Sequence, residues 1–507
     1  MSDQALFHTD CPACGAPVAV RSATAVTVVC GYCNSMLVRQ DGSLHDSGRD
    51  SALLKDFSPL QIGTTGRFAA RGFMLVGRLQ VRYDAGVWNE WYARFDDGSS
   101  GWLSEAGDLY VFTREVAAPP DAPEFERIRA GETLLKYSKL FIASDVRHIT
   151  LDKAAAQGEL PFRLPENGEN RVADWRSENV FLTLDYAQYP PTAFLGKTVH
   201  LLELDLQNTR NVEDIRRSAG SLKGTRRNES CPNCGSPVHW QAGLTHTVIC
   251  PSCGSDLDTS SGKAELMAAN TMREAQQQAM TLPLGKTGKI DGQHYTVIGA
   301  VRMEELAADD ALAVLEGYPN SGVYPRGWWF EYLLYHPQQG FKWLVETPED
   351  GWFLSETQHS FPHLNPNGEP QGRRLLYAYG GRVSYAAGAF YWHIRAGDVT
   401  YYRDYAAGSG KLCAERSAHE LAWSLSLPVA FADVAQWFKL SPEEGRRYTA
   451  TIQPDPPSRT LMWTMIGSYC LINLPAWIMM DEDSLFISLF ISMFIIGFLW
   501  RGDEDDD

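Results

Sequence analysis

Positive charge is what this chain is short of. Its 45 Lys and Arg face 62 Asp and Glu, a formal net charge of −17. Binding a polyanion needs a local excess of cations. No basic stripe supplies one, so no nucleic acid is expected as a partner. The densest basic run, Arg216, Arg217, Lys223, Arg226 and Arg227, lies in a Ser- and Gly-containing stretch and reads as a solvated linker. Catalytic signatures are missing too: there is no phosphate-cradling glycine loop, no HExxH and no nucleophile elbow. The opening MSDQALFHTDCPAC has no charged start followed by an apolar run, so no secretory signal is expected. Cysteine is scarce, ten in 507 residues, yet eight of the ten fall into two copies of one pattern.

Cys11 and Cys14 are followed after fifteen residues by Cys30 and Cys33, and Cys231 and Cys234 by Cys250 and Cys253 at the same separation. The offset between copies is 231 − 11 = 220 and 250 − 30 = 220. A paired CxxC at this spacing supplies the two knuckles of a tetrahedral metal site. Four thiolates hold Zn²⁺ at about 2.3 Å and leave no open position for water, so such a site is structural. It also stabilises a segment too small to fold alone. The knuckles resemble those of rubredoxins, which hold iron. The stretch Gly235–Ile249 is shorter than rubredoxins use and has Trp240 as its aromatic residue, so two structural zinc ions are the expectation. The cysteine pairs resemble zinc ribbons.

The repeat continues past the cysteines. Ile62-Gly63-Thr64-Thr65-Gly66 matches Leu284-Gly285-Lys286-Thr287-Gly288 at offset 222, and Val76-Gly77 matches Ile298-Gly299. Trp88-Asn89-Glu90 matches Trp329-Phe330-Glu331, and Trp102 to Glu105 matches Trp343 to Glu346, at offset 241. Gly158 to Phe162 lies over Gly388 to Trp392, Asp174-Trp175 over Asp404-Tyr405, and Asp185 over Glu415, at offset 230. Gaps fall between blocks, as when duplicated domains change loop lengths and keep strand register. Arg67–Arg82 alternates apolar and polar residues, and Trp88–Phe95 and Ser100–Ser104 flank the turn Asp96-Asp97-Gly98-Ser99. Short alternating runs broken by Gly favour an antiparallel barrel or sandwich. Met303–Pro325 reads as an extended loop, and helix is expected at Ala264–Met280 and Pro428–Phe438.

The strings IGTTGRF, GFMLVGRL and WNEWYARFDDGSSGWLSE, with GAFYWHIRAGDVTYYRDY and LCAERSAHELAWSLS, resemble an uncharacterised bacterial family, domain of unknown function 4178. Two copies are implied, over most of Leu60–Thr209 and Leu284–Phe431. The first copy departs from the aromatic GAFYW with GELPF. No established activity comes with the resemblance.

The expected order is a zinc ribbon at 1–45, a β domain at 57–210, a linker at 211–229, a second ribbon at 230–260, a connector helix at 261–282, a second β domain at 283–440, a transmembrane helical hairpin at 460–500 and an acidic tail at 501–507. Leu461–Met480 and Leu485–Trp500 are almost continuously apolar. As helices they measure about 30 Å and about 24 Å against a hydrocarbon core of about 30 Å, so the second is marginal. Arg446, Arg447 and Arg459 precede them and Arg501 follows, while the turn Asp481-Glu482-Asp483-Ser484 has no cation. Positive residues stay cytoplasmic, and tetrathiolate sites persist where thiols stay reduced. Both arguments place the soluble part at the cytoplasmic face of the inner membrane.

Of the tryptophans, Trp88, Trp91, Trp102, Trp328, Trp329, Trp343, Trp352, Trp392 and Trp423 recur or alternate as core residues do, with a peptide groove as the other use. Glu90, Glu105, Glu331, Glu346, Asp404, Glu415 and Glu420 offer carboxylate pairs for acid–base work, but no nucleophile accompanies them. His294, His393 and His419 have no counterparts in the first copy and read as surface or core histidines, and Cys413 as a buried thiol. The combined expectation is a membrane-anchored cytoplasmic zinc-binding scaffold with protein partners, with the question of an enzymatic activity left open. The alternative is a binder or enzyme acting on a small cationic ligand, such as a polyamine, through an acidic cleft between the two β domains.

Overall fold

The computed structural model describes residues 5–440, less 41, 52, 54–56, 84–85, 107–108, 165–168, 220–222, 260–263, 269–279, 320–322 and 349–350. The segments Leu461–Met480 and Leu485–Trp500 and the acidic tail lie outside the described residues. Among the described residues no helix is long and apolar enough to cross a membrane.

The alternating runs close into a barrel. Arg71–Tyr83, Gly86–Phe95, Ser100–Ala106 and Leu109–Val116 form one antiparallel meander, and Lys139–Leu160, Glu169–Ser177, Val180–Asp185 and Thr192–Thr198 a second. Leu109–Val116 pairs with Thr192–Thr198, and Lys139–Leu160 pairs with Arg71–Tyr83, which closes eight strands. The second half repeats this with Gln293–Leu306, Gly327–His336, Gly340–Thr347 and Gly351–Thr357, then Leu375–Phe390, Val399–Ala407, Gly410–Arg416 and Leu421–Val429. Its closing pairs are Gly351–Thr357 with Leu421–Val429 and Gln293–Leu306 with Leu375–Phe390. Closure leaves no barrel edge unpaired and separates inward from outward side chains at period two.

The inner face of the second barrel carries Val301, Met303, Trp329, Leu333, Val383 and Tyr402, with Trp343 and Tyr379 against them. Its outer face is covered locally: Phe438, on the helix Phe431–Phe438, lies on Gly288, where a Cβ would come within 2.6 Å of its ring. The tryptophans belong to these cores, with Trp91, Trp352 and Trp423 almost fully buried and Trp88, Trp102 and Trp392 packed at the margins.

At one end of each barrel a long strand runs on into the cysteine module. Leu160 and Glu159 pair with Thr27 and Val28, and Phe390, Ala389 and Gly388 pair with Thr247, Val248 and Ile249. The seam is held by paired glycines, Gly158 opposite Gly77 and Gly388 opposite Gly299. Gly158 (φ +70°) and Gly388 (φ +98°) are left-handed, and a Cβ on either would fall 2.2 Å from a carbonyl oxygen, of Val76 and Ile298 respectively. Only glycine permits both the conformation and the approach.

Four local readings differ from the structure. The expected linker carries a helix, Val212–Ala219, whose start is capped by Asn211 Oδ1 accepting from the Asp214 amide at 2.7 Å, and a strand, Arg226–Ser230, that pairs with Pro237–Gln241. Its charged residues suit the exposed face of a two-stranded ribbon. In the expected connector helix, Glu265–Ala268 is a strand paired with Asp256–Asp258, because the open edge of the module captures its backbone; 269–279 lie outside the described residues. Met303–Pro325 contains the end of a strand and the helix Ala308–Leu315, whose Ala and Leu favour helix and whose Ala311 sits on Gly380. The last helix begins at Phe431, since Pro428 and Val429 still belong to the barrel.

The two barrels dock directly. Leu140 and Ile142 of the first pack with Phe361, Leu364, Tyr405, Leu412, Leu421 and Trp423 of the second half. The Val146 amide donates to His419 O at 2.9 Å, and Arg147 pairs with Glu420 at 3.2 Å.

Two four-sulfur clusters and the acidic barrel interiors

Each CxxC forms a tight turn in which the amide after the second cysteine donates to the carbonyl of the first. These bonds are Gly15 to Cys11 at 2.8 Å, Asn34 to Cys30 at 3.0 Å, Gly235 to Cys231 at 2.8 Å and Gly254 to Cys250 at 2.8 Å. All four donors have positive φ, which glycine and asparagine tolerate. Two turns then bring four sulfurs together. Within each set, Cys11, Cys14, Cys30 and Cys33 or Cys231, Cys234, Cys250 and Cys253, all Sγ atoms lie within 4.8 Å of one another.

The spacing fits a metal and not a disulfide. Cys11–Cys33 and Cys14–Cys30 stand 3.8 Å apart, Cys231–Cys253 3.8 Å and Cys234–Cys250 3.7 Å. Tetrahedral sites with metal–sulfur bonds of about 2.3 Å place their sulfurs about 3.8 Å apart, whereas a disulfide needs about 2.05 Å. Both clusters could therefore hold a metal ion. They differ in shelter. Cys14 is exposed, whereas Cys231, Cys250 and Cys253 are buried and Cys234 partly so. Asn233 Nδ2 also donates to Cys253 Sγ at 3.7 Å and to Ser255 Oγ at 2.8 Å.

The modules attach to their barrels by different chemistry. At the first seam the buried Glu159 carboxylate accepts from the amides of Arg21 at 2.7 Å and Ser22 at 2.6 Å. At the second, the matching residue is Ala389, which packs into the module's apolar core with Val238, Trp240, Val248 and Leu257. The departure of GELPF from GAFYW is thus a change of fastening.

The predicted carboxylates fall into three groups. Glu105 and Glu346 lie on the outer face, fully hydrogen-bonded: Glu105 accepts from Asn89, Trp91 and Tyr110 at 3.0–3.1 Å, and Glu346 from Tyr332 and Thr281 at 2.7 Å. Glu90 and Glu331 point inward, each accepting from the indole two residues earlier, Trp88 or Trp329, at 2.7 Å. Asp404 and Glu415 join Glu331 inside the second barrel, and Asp174 joins Glu90 inside the first. Glu420 stands at the junction between barrels with Asp145, Arg147 and Arg176. The carboxylates do not converge on a cleft between the copies. His294 and His419 are exposed, and His393 pairs with Asp256 at 3.0 Å. Asp145, Lys411 and the tyrosines Tyr379 and Tyr402 were not singled out by sequence; the signal available was W-x-E in both copies, which puts indole and carboxylate on one strand face.

Burial pushes Glu90 up to about 7 against the hydrogen bonds of Ser104 and Trp88. Burial and the facing Glu331 push Glu415 up to about 7 against the Ser424 hydroxyl. Burial likewise raises Asp145 to about 7, although Arg147 opposes it. A carboxyl whose pKa is higher folded than unfolded holds its proton more tightly in the native state. Its contribution is complete below about pH 4 and is lost as pH rises through about 7. Urea denaturation is therefore expected to show lower stability at pH 8.5 than at pH 6, by on the order of 1 kcal/mol for each such group that ionises. Glu415→Gln is expected to flatten part of that fall; stability rising over this range would contradict the assignment.

No curated protein matches this chain. The model of the family "Domain of unknown function (DUF4178)" matches it twice, at residues 61–201 and 283–431, each match beginning near the first glycine-rich turn and ending at or just after the last barrel strand. Together these matches cover more than half of the sequence, and the chain belongs to this family as a tandem pair of its domains.

Proposed function

We propose that this protein is a scaffold anchored in the inner membrane, with its barrels in the cytoplasm and one structural zinc ion in each cysteine cluster. The observation that carries the reading is the stitching of each cluster into a barrel sheet: the strand before Cys30 and the strand before Cys250 are the ones that pair with the barrel. A metal so placed fastens surfaces together and has no coordination site left for chemistry. The apolar segments Leu461–Met480 and Leu485–Trp500 and the arginines around them support an anchor with both ends cytoplasmic. The barrels then offer their outer surfaces to protein partners. Exposed Leu202, Tyr189 and Tyr324, at 96%, 71% and 82%, are the kind of side chain such contacts bury.

Cell fractionation tests the reading. Full-length protein is expected to stay with membranes through an alkaline wash, and a chain ending at Leu440 to be released. Cross-linking in intact cells is expected to join the full chain to cytoplasmic or inner-membrane proteins. Full-length protein in the soluble fraction, or no cross-linked partner, would contradict it.

A further inference from the structure

The interior of the second barrel is lined by chemistry that neither metal nor packing explains. Glu331 accepts from the Trp329 indole at 2.7 Å and Glu415 from the Ser424 hydroxyl at 2.5 Å, and each carboxylate lies in the field of the other. Both keep partial accessibility although they face inward, so side chains do not fill this space to contact. Around them Tyr379 and Tyr402 stack at 5.0 Å between ring centres, and Trp329 stands edge-on to both at 5.7 Å.

A separate observation comes from Asp404, which has no exposed surface. Lys411 Nζ lies 2.8 Å from its Oδ2 and the Tyr379 hydroxyl 3.5 Å, but its Oδ1 has no hydrogen-bond partner among the described residues. A buried carboxylate oxygen without a partner is costly. Two facing carboxylates in a low-dielectric space cannot both ionise unless a positive charge joins them. Aromatic faces beside them attract a cation, and an eight-stranded barrel that its side chains do not fill can hold one small ligand.

The first barrel makes the contrast. Counting from Asp174 and Asp404, it has Val172 where the second has Tyr402, and opposite Val172 it has Arg147 where Tyr379 stands opposite Tyr402. At the register position where the second barrel presents a ring the first carries Arg147, whose guanidinium pairs with Asp145 at 2.6 Å and with Glu420 at 3.2 Å.

We infer that the second barrel binds a small organic cation, its ammonium group held between Glu331 and Glu415 against Trp329, Tyr379 and Tyr402. The inference does not rest on the scaffold reading, and it places cation binding inside a barrel.

Calorimetry and tryptophan fluorescence on the full-length protein test it with butylammonium, and with 1-pentanol as an uncharged alcohol one methylene longer. Butylammonium is expected to bind once per chain and quench tryptophan emission, with pentanol at least tenfold weaker. Glu331→Gln and Glu415→Gln keep acceptors for the Trp329 and Ser424 donors, and each is expected to weaken butylammonium at least tenfold, whereas Glu316→Gln on the surface leaves it unchanged. No binding of butylammonium at millimolar concentration, equal binding of pentanol, or folded glutamine variants that bind normally would each overturn the inference. The comparison of the two probes on the unaltered protein holds even if a variant fails to fold.

Discussion

Serine in place of Cys250 is expected to lower the metal content by one ion per chain and to unfasten the second module from its barrel. Cys250 is almost fully buried and immediately follows the strand Thr247–Ile249, which is hydrogen-bonded to Gly388, Ala389 and Phe390. The module's own core is small: four cysteines apart, it rests on Val238, Trp240, Val248, Leu257 and Ala389. Structural zinc contributes apparent free energies of about 10 kcal/mol or more to such segments, more than a core of that size replaces. Hydrogen exchange is the direct readout. The amides of Val248 and of Thr259, which donates to His246 O at 2.8 Å, are expected to lose protection by several orders of magnitude. The amide of Tyr92 in the first barrel is expected to keep its own. Unchanged protection across Thr247–Asp258 in the variant would contradict a structural role for the cluster. Cys14→Ser at the more exposed cluster is expected to act on its own module in the same direction and less strongly on the barrel, since Glu159 fastens that seam by hydrogen bonds.

The second large effect is expected at the barrel seam. Gly158→Val places a branched side chain in a left-handed conformation, with its Cβ 2.2 Å from Val76 O. The conformational penalty alone is on the order of 1–2 kcal/mol. The clash must be relieved by parting Lys139–Leu160 from Arg71–Tyr83, which opens the barrel where it closes. A loss of more than about 4 kcal/mol in urea denaturation is expected, in the range reserved for named structural breaks. Gly98→Ala is the control, because Gly98 has φ +81° but nothing within 4 Å of its missing Cβ. It is expected to cost about 1 kcal/mol, the conformational penalty without the clash. Equal losses for the two substitutions would mean that the seam is not closed as described.

The four-sulfur clusters were legible because such a grouping is written in the spacing of its cysteines, and the left-handed turn after each CxxC explains why Gly or Asn follows. The duplication was legible because matched blocks such as Trp88-x-Glu90 and Trp329-x-Glu331 sit on barrel strands whose register cannot slip without turning every side chain over. What escaped was set by long-range contacts. The closed barrel depends on Gly158 meeting Gly77, 81 positions earlier (158 − 77), and on Gly388 meeting Gly299, 89 positions earlier (388 − 299), and no local pattern announces such a meeting. The strands Arg226–Ser230 and Glu265–Ala268 read as linker and helix because an edge strand takes its conformation from the neighbour it pairs with, whatever its own propensity. The acidic residues were found, but their grouping was not: period two sends Glu331 inward and Tyr332 outward, and only barrel closure brings Glu331 to Glu415.

X-ray absorption with elemental analysis of the full-length protein tests whether two all-sulfur metal sites hold the modules to the barrels. The result expected is two zinc ions per chain, each in a shell of four sulfurs at about 2.3 Å. Fewer than two ions, a different metal, or a shell containing oxygen or nitrogen would contradict it.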